Sequence, residues 1–185
     1  MNVMGVDPGK KGAFVVLKNG HFSLGETFPT DHMGEICFRK LCNRMQAMSL
    51  TLDVVFVEKV GAMAGWGARS LFNFGRNYQM ALDAVAYIDR PRIDVPPKEW
   101  QATLFTKADH IRKYPDQKNK ALDRKKMALI KAKELFPKQD FLATERSRIP
   151  HDGIVDATLI AYHGYLKLKE STITTKGNHQ WISLK

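Results

Sequence analysis

The chain has 185 residues, enough for one domain with a substantial core. Its 29 Lys and Arg stand against 19 Asp and Glu, a formal charge of +10 that points to a polyanionic partner, nucleic acid ahead of an anionic membrane surface. Two cysteines, Cys37 and Cys42, without CxxC or Cys/His spacing, argue against a disulfide framework or a zinc site. No apolar run reaches membrane-spanning length and no signal-peptide pattern is present, so no membrane partner and a reducing, cytoplasmic location are expected.

In chain order, residues 2–7 read as a short buried strand ending in Asp7, with Pro8-Gly9-Lys10-Lys11-Gly12 as a turn. Residues 13–17 form a second strand. Asn19-Gly20 signals a hairpin into a third strand over 21–28. Residues 33–48 have the periodicity of an amphipathic helix, with Ile36, Cys37, Leu41 and Met45 on its apolar side. The β-branched run 51–58 predicts a central strand that also ends in an acid, Glu58. A Gly-rich loop carrying Met63 and Trp66 leads to a helix over about 70–86, with Leu71, Phe74, Tyr78, Leu82 and Val85 inward. A short strand over 90–95 precedes a helix opened by Pro96-Pro97. Residues 107–133 hold ten Lys or Arg against three Asp, an excess that favours phosphate contact over a merely solvated face. Their second half, 119–135, reads as a helix with Leu122, Met127, Ile130 and Leu135 as its stripe. A last helix starts near Asp152 and ends near Leu168, followed by a polar tail over 169–185.

Within that last helix Asp152 and Asp156 stand four apart, on one face of an otherwise apolar run. The helix dipole explains an acid at Asp152 but serves poorly for Asp156, a turn further in. Two like charges on such a face repel and lose solvation unless a cation sits between them. The element order predicts an α/β domain with one mixed sheet and helices on both faces. If the first and fourth strands are neighbours, Asp7, Glu58, Asp152 and Asp156 meet in one place. A cluster of that kind needs cations, and oxygen-only donors select a hard metal such as Mg²⁺. A pair of Mg²⁺ ions in such a site suits phosphodiester cleavage.

The ordered set resembles a known family, the RuvC-like Holliday junction resolvases of the ribonuclease H-like superfamily. The resemblance lies in Gly5-Val6-Asp7-Pro8-Gly9, in Val55-Phe56-Val57-Glu58, and in Asp152-Gly153-Ile154-Val155-Asp156-Ala157. It is nearest to the phage and chloroplast branch, through the loop and helix start 65–76, Val95-Pro96-Pro97-Lys98-Glu99-Trp100-Gln101, and Leu135-Phe136-Pro137. One departure stands out. Typical bacterial members separate their last two acids by three residues, whereas here the spacing is four and Gly153 holds the other position.

The resemblance implies a ribonuclease H-like fold with a five-stranded mixed sheet over residues 1–168. It implies a homodimeric crossover junction endodeoxyribonuclease, phage-encoded and acting in the host cytoplasm, that makes paired nicks in four-way DNA junctions. It implies two Mg²⁺ per site, replaceable by Mn²⁺, with Asp7 bridging both, Glu58 and Asp156 completing one each, and Asp152 helping to hold the second. A basic residue assisting the acids falls near Lys125, with Lys126 or Lys120 as alternatives and plain phosphate contact as another reading. Arg69, Arg76, Lys118, Lys120, Lys125 and Lys126 are expected on the DNA. Met63 and Trp66 either stack at the branch point or pack under their loop. The helix over 70–86 is the expected dimer helix, with Phe72, Phe74 and Tyr78 partly at the interface. His151 either supports the acids from behind or stands at the surface, the second being the favoured reading. The rival readings are a less selective branched-DNA or flap nuclease, a junction-binding protein without catalysis, and an unrelated basic RNA-binding domain.

Overall fold

A computed structural model describes residues 1–9, 11–61, 65, 67–114 and 121–177, with 172–177 described as backbone. Met63, Trp66, Lys118 and Lys120 lie outside the described residues. Among the described residues the elements are β1 (Asn2–Asp7), β2 (Ala13–Lys18), β3 (His21–Thr27), α1 (Phe38–Ser49), β4 (Val54–Glu58), α2 (Ala68–Tyr87), β5 (Arg92–Val95), α3 (Pro97–Leu104), α4 (Arg124–Leu135) and α5 (Asp152–Gly177). No described helix is long and apolar enough to cross a membrane.

The five strands form one sheet in the order β3-β2-β1-β4-β5. β1, β2 and β3 make an antiparallel meander, while β4 lies parallel to β1 and β5 parallel to β4. The first and fourth strands are therefore neighbours, and the sheet is mixed and flanked by helices as expected.

Strand alternation sorts the core into two layers. Val3, Val15, Leu17, Val54 and Phe56 face α3, α4 and α5. Met4, Val6, Phe14, Val16, Val55 and Val57 face α1 and α2. The contact between α5 and β1 is unusually intimate. A Cβ on Gly5 would lie 2.2 Å from the Ala157 carbonyl oxygen and 2.4 Å from the Ala161 nitrogen, so the helix backbone rests directly on the strand. Only glycine at position 5, with small residues opposite, permits that approach.

Several elements depart from the expected periodicity. α1 begins at Phe38 rather than Met33, because the Asp31 carboxylate takes the N–H groups of Met33 and Glu35 and folds that stretch into a turn. α2 buries Asn77, Ala81, Ala84 and Val85, while Leu71, Phe74, Tyr78 and Leu82 are half-buried. The small alanines bring the helix close to the core and leave the larger side chains at its flank. α4 starts at Arg124, where the Asp123 side chain accepts the Lys126 N–H, and it buries Met127, Ala128 and Ala132 while Ile130 is exposed. α5 continues nine residues past Leu168, to Gly177, rather than stopping at its last core residue.

Replacing Gly5 with alanine is expected to lower stability by about 1–3 kcal/mol, since overpacking moves backbone rather than a flexible side chain. Urea unfolding measures this. An unchanged midpoint would mean that α5 does not rest on β1 as described.

Candidate active site

The same alternation places the acids. Asp7 follows Val3 and Gly5 along β1, and Glu58 follows Val54 and Phe56 along β4, so both belong to the face that α5 covers. The register pairs Gly5 with Phe56 and Val6 with Val57, which brings the next residues, Asp7 and Glu58, level at the end of the sheet. Asp156 sits one residue before Ala157, whose carbonyl lies over Gly5. Helix and strands thus deliver three acids to one region, each of them half-buried.

Electrostatic coupling follows. Asp7 is pushed up to about 7, first by burial and then by the neighbouring Glu58 charge, with Asp152 adding a little. A hydrogen bond from the Gly9 N–H at 2.9 Å opposes this shift. Asp156 is raised well above the ordinary carboxylate range by burial, then by Asp7, Glu58 and Asp152, with Lys125 pulling it back. Burial also raises Glu58, and the Trp100 indole N–H, 2.9 Å from Oε1, counters it.

Asp152 differs from the other three. It is exposed and forms an ion pair with Lys125 of α4, and that bond raises the Lys125 ammonium above its ordinary value. Gly153 explains why the acid stands here. A Cβ on Gly153 would lie 2.3 Å from the Lys11 carbonyl oxygen and 3.3 Å from Asp7 Oδ2. That position has no room for any side chain, and the acid one residue earlier points to where Lys125 reaches.

A groove of about 1050 Å³ opens over Asp7 and Glu58, walled by Lys11, Phe28, Glu35, Asn73, Arg76 and His151. A second hollow of about 360 Å³ lies beside Asp152 and Asp156 and includes Lys125 and Lys126. His151 is half-buried in the groove wall rather than free at the surface. The turn into α5 pins its backbone N–H to the Phe141 carbonyl at 2.8 Å. Arg76 reaches the groove but is paired with Glu35, whereas Arg69 and Lys126 are exposed. Phe72 projects from α2 at 72% exposure, and Phe74 and Tyr78 stack on each other with ring centres 6.1 Å apart. Within the basic segment Lys131 is structural, bonded to Asp109 and Glu134.

The donor set fits hard divalent cations in its chemistry: carboxylate oxygens, partly desolvated and mutually repelling, with no thiolate or imidazole in the set. As positioned, no group of three or more His, Cys, Asp or Glu among the described residues is placed to hold one ion. Two contacts of this site had no signal in the sequence. Trp100 belongs to α3, and only the placement of β5 beside β4 brings that helix against Glu58. Glu35 meets Arg76 through a turn that the helical periodicity of 33–48 concealed.

No protein-family model matches the chain, and no curated protein does. Among solved structures it is similar to RuvC of Thermus thermophilus. Against that protein in complex with a Holliday junction substrate, the TM-score is 0.58 at 16% identity, covering 93% of this chain and 97% of the other. Against a second Thermus thermophilus RuvC structure, the TM-score is 0.55 at 17% identity, covering 93% and 98%. This chain therefore has the RuvC-like, ribonuclease H-like fold across nearly its whole length.

The raised acids make stability depend on pH with a definite sign. Asp7 moves from 3.8 to about 7 on folding, so between those values the folded chain holds a proton that the unfolded chain has released. Without divalent metal, the stability that protonated Asp7 contributes should be full below its ordinary value of 3.8 and be lost as pH rises through about 7. Asp7→Asn should melt about 2–4 °C above the wild type at pH 8 in chelator, after discounting for partial exposure. Mg²⁺ should raise the wild-type midpoint and leave the variant unmoved. A variant that melts below the wild type at pH 8 would count against the coupled cluster.

Proposed function

We propose that the chain is a metal-dependent endonuclease that resolves four-way DNA junctions, acting as a homodimer with Mg²⁺ or Mn²⁺. The observation that supports this most is the electrostatic coupling of Asp7, Glu58 and Asp156, from two strands and a helix, between a groove that holds the first two and a hollow that holds the third, in a RuvC-like fold. The similar Thermus protein was solved with a Holliday junction substrate, and the +10 charge of this chain suits the same class of polyanion.

Asp7, Glu58 and Asp156 would hold the cations, with Asp152 beside them. Bound there, divalent ions supply activation of a water and stabilisation of the leaving oxygen. The protein side of the reaction is positioning. The Gly9 N–H fixes Asp7 Oδ1, and the Trp100 N–H fixes Glu58 Oε1. Lys125 Nζ, now on Asp152, stands at the mouth of the second hollow, where a phosphate oxygen would compete for it. Lys126 and Arg69, both exposed, would follow the DNA backbone. The outward Phe72 face of α2 would join two copies, since a two-fold protein presents two equal sites to a two-fold branched substrate.

The test is cleavage of a labelled immobile four-way junction beside a linear duplex and a 5′ flap, with and without Mg²⁺. Paired nicks confined to the junction, and lost in Asp7→Asn with binding retained, are expected. Equal cutting of the flap would instead indicate a general branched-DNA nuclease. Tight junction binding without cutting by either protein would indicate a junction-binding protein. A further expectation concerns salt. Lys126→Ala should weaken binding to all DNA forms alike and reduce the slope of log K against log salt by about 0.9. An unchanged slope would remove Lys126 from the phosphate contacts.

A further inference from the structure

Glu58 is the acid of the cluster whose side chain is held by a neutral donor from another element. Trp100 is buried, 3% exposed, and its indole N–H donates to Glu58 Oε1 at 2.9 Å. The ring has little freedom to move. It packs in the core beside Val95, Leu104 and Ala128, with Phe105 at 6.0 Å. Its helix, α3, is tied to α5 well away from the groove. Buried His163 shares a hydrogen bond with the Thr103 hydroxyl at 3.0 Å. Glu99 lies 3.7 Å from His163 and 3.6 Å from Lys167. His163 also meets Phe56 of β4 edge-on at 6.3 Å, two residues before Glu58. Strand, helix and indole are thereby locked in one frame.

The contrast with Asp152 shows what a neutral donor achieves. Lys125 neutralises Asp152 and must be displaced before that carboxylate meets a cation at full charge. An indole N–H orients a carboxylate and leaves its negative charge intact. It also takes a lone pair of Oε1, so Oε2 is the less encumbered oxygen. A glutamate at a strand end otherwise has several rotamers, and freezing them on binding costs entropy that a pre-formed hydrogen bond removes in advance.

We infer that Trp100 is a positioning residue for the metal site: its N–H holds Oε1 of Glu58 and leaves Oε2 to take a divalent cation in the groove. The inference rests on the nuclease reading above. It predicts that the loss of this N–H changes metal affinity before it changes chemistry.

The experiment counts free Mn²⁺ by electron paramagnetic resonance as it is titrated into the full chain. Four proteins are compared: wild type, Asp7→Asn, Trp100→Phe, and a chain carrying the benzothienyl isostere of tryptophan at position 100, where sulfur replaces the N–H without changing the shape. Both position-100 proteins should bind Mn²⁺ about 10–100-fold more weakly than wild type, the usual effect of removing an outer-shell partner. Junction cutting by both should recover at saturating Mn²⁺, so that the loss falls on metal dependence and not on maximal rate. The isostere should melt with the wild type, which separates the hydrogen bond from packing. Weakened binding in Trp100→Phe alone, with the isostere binding normally, would make Trp100 a packing residue and overturn the inference. Wild type binding Mn²⁺ no better than Asp7→Asn would overturn the metal site itself, and with it both readings.

Discussion

The backbone of α5 lies on β1 with only the hydrogens of Gly5 between them. Much else depends on that contact. It sets the depth at which α5 sits on the sheet and hence the height of Asp156 relative to Asp7. Both acids are half-buried because the helix is so close, and burial is the first cause of both raised pKa values. Gly153 repeats the device one turn earlier. There the helix start passes against the Lys11 carbonyl and the Asp7 carboxylate, with no space for a side chain.

A fold that gathers acids at partly desolvated positions opposes its own stability, because each charge raises the cost of the next. The chain answers in three ways. Asp7 is held by a backbone N–H from its own turn, Glu58 by an indole N–H, and Asp152 by a lysine. Only the last is a full counter-charge, and it falls on the acid that is already exposed. The buried acids keep their unresolved repulsion, which is what a divalent cation would relieve. The arrangement is therefore poorly settled as a structure, and the chemistry of its donors, though not their present placement, suits a divalent cation, in keeping with the proposed nuclease.

The basic segment shows how charge count and charge placement differ. Its surplus of lysine and arginine was plain from composition. In the fold Lys131 is spent on Asp109, whose carboxyl it holds down at about 2, and Arg124 on Gln101. Lys125, paired with Asp152, and Lys126 stand on the exposed first turn of α4, beside the hollow that contains Asp152 and Asp156. Arg76, at the groove, is engaged by Glu35, so a phosphate arriving there would compete with a carboxylate already in place.

Local patterning carried the element order, the central strands, the acids at their ends and the Asp152/Asp156 helix, because alternation and helical periodicity are properties of neighbouring residues. The same alternation, read along Val3-Gly5-Asp7 and Val54-Phe56-Glu58, already assigns both acids to one face once the two strands pair. Periodicity was less reliable where a side chain competes with the helix, as Asp31 does before α1, or where small residues decide the depth of packing, as Ala81 and Ala84 do in α2. The sequence by itself determined which residues are charged, which runs are apolar and where chain direction must change. Only the tertiary structure decided that Lys125 meets Asp152, that Trp100 meets Glu58 across 42 positions of chain, and that Gly153 has no room to carry the acid itself. Those outcomes depend on which strand lies beside which and how closely a helix approaches, and no stretch of neighbouring residues encodes a distance between elements that only packing brings together.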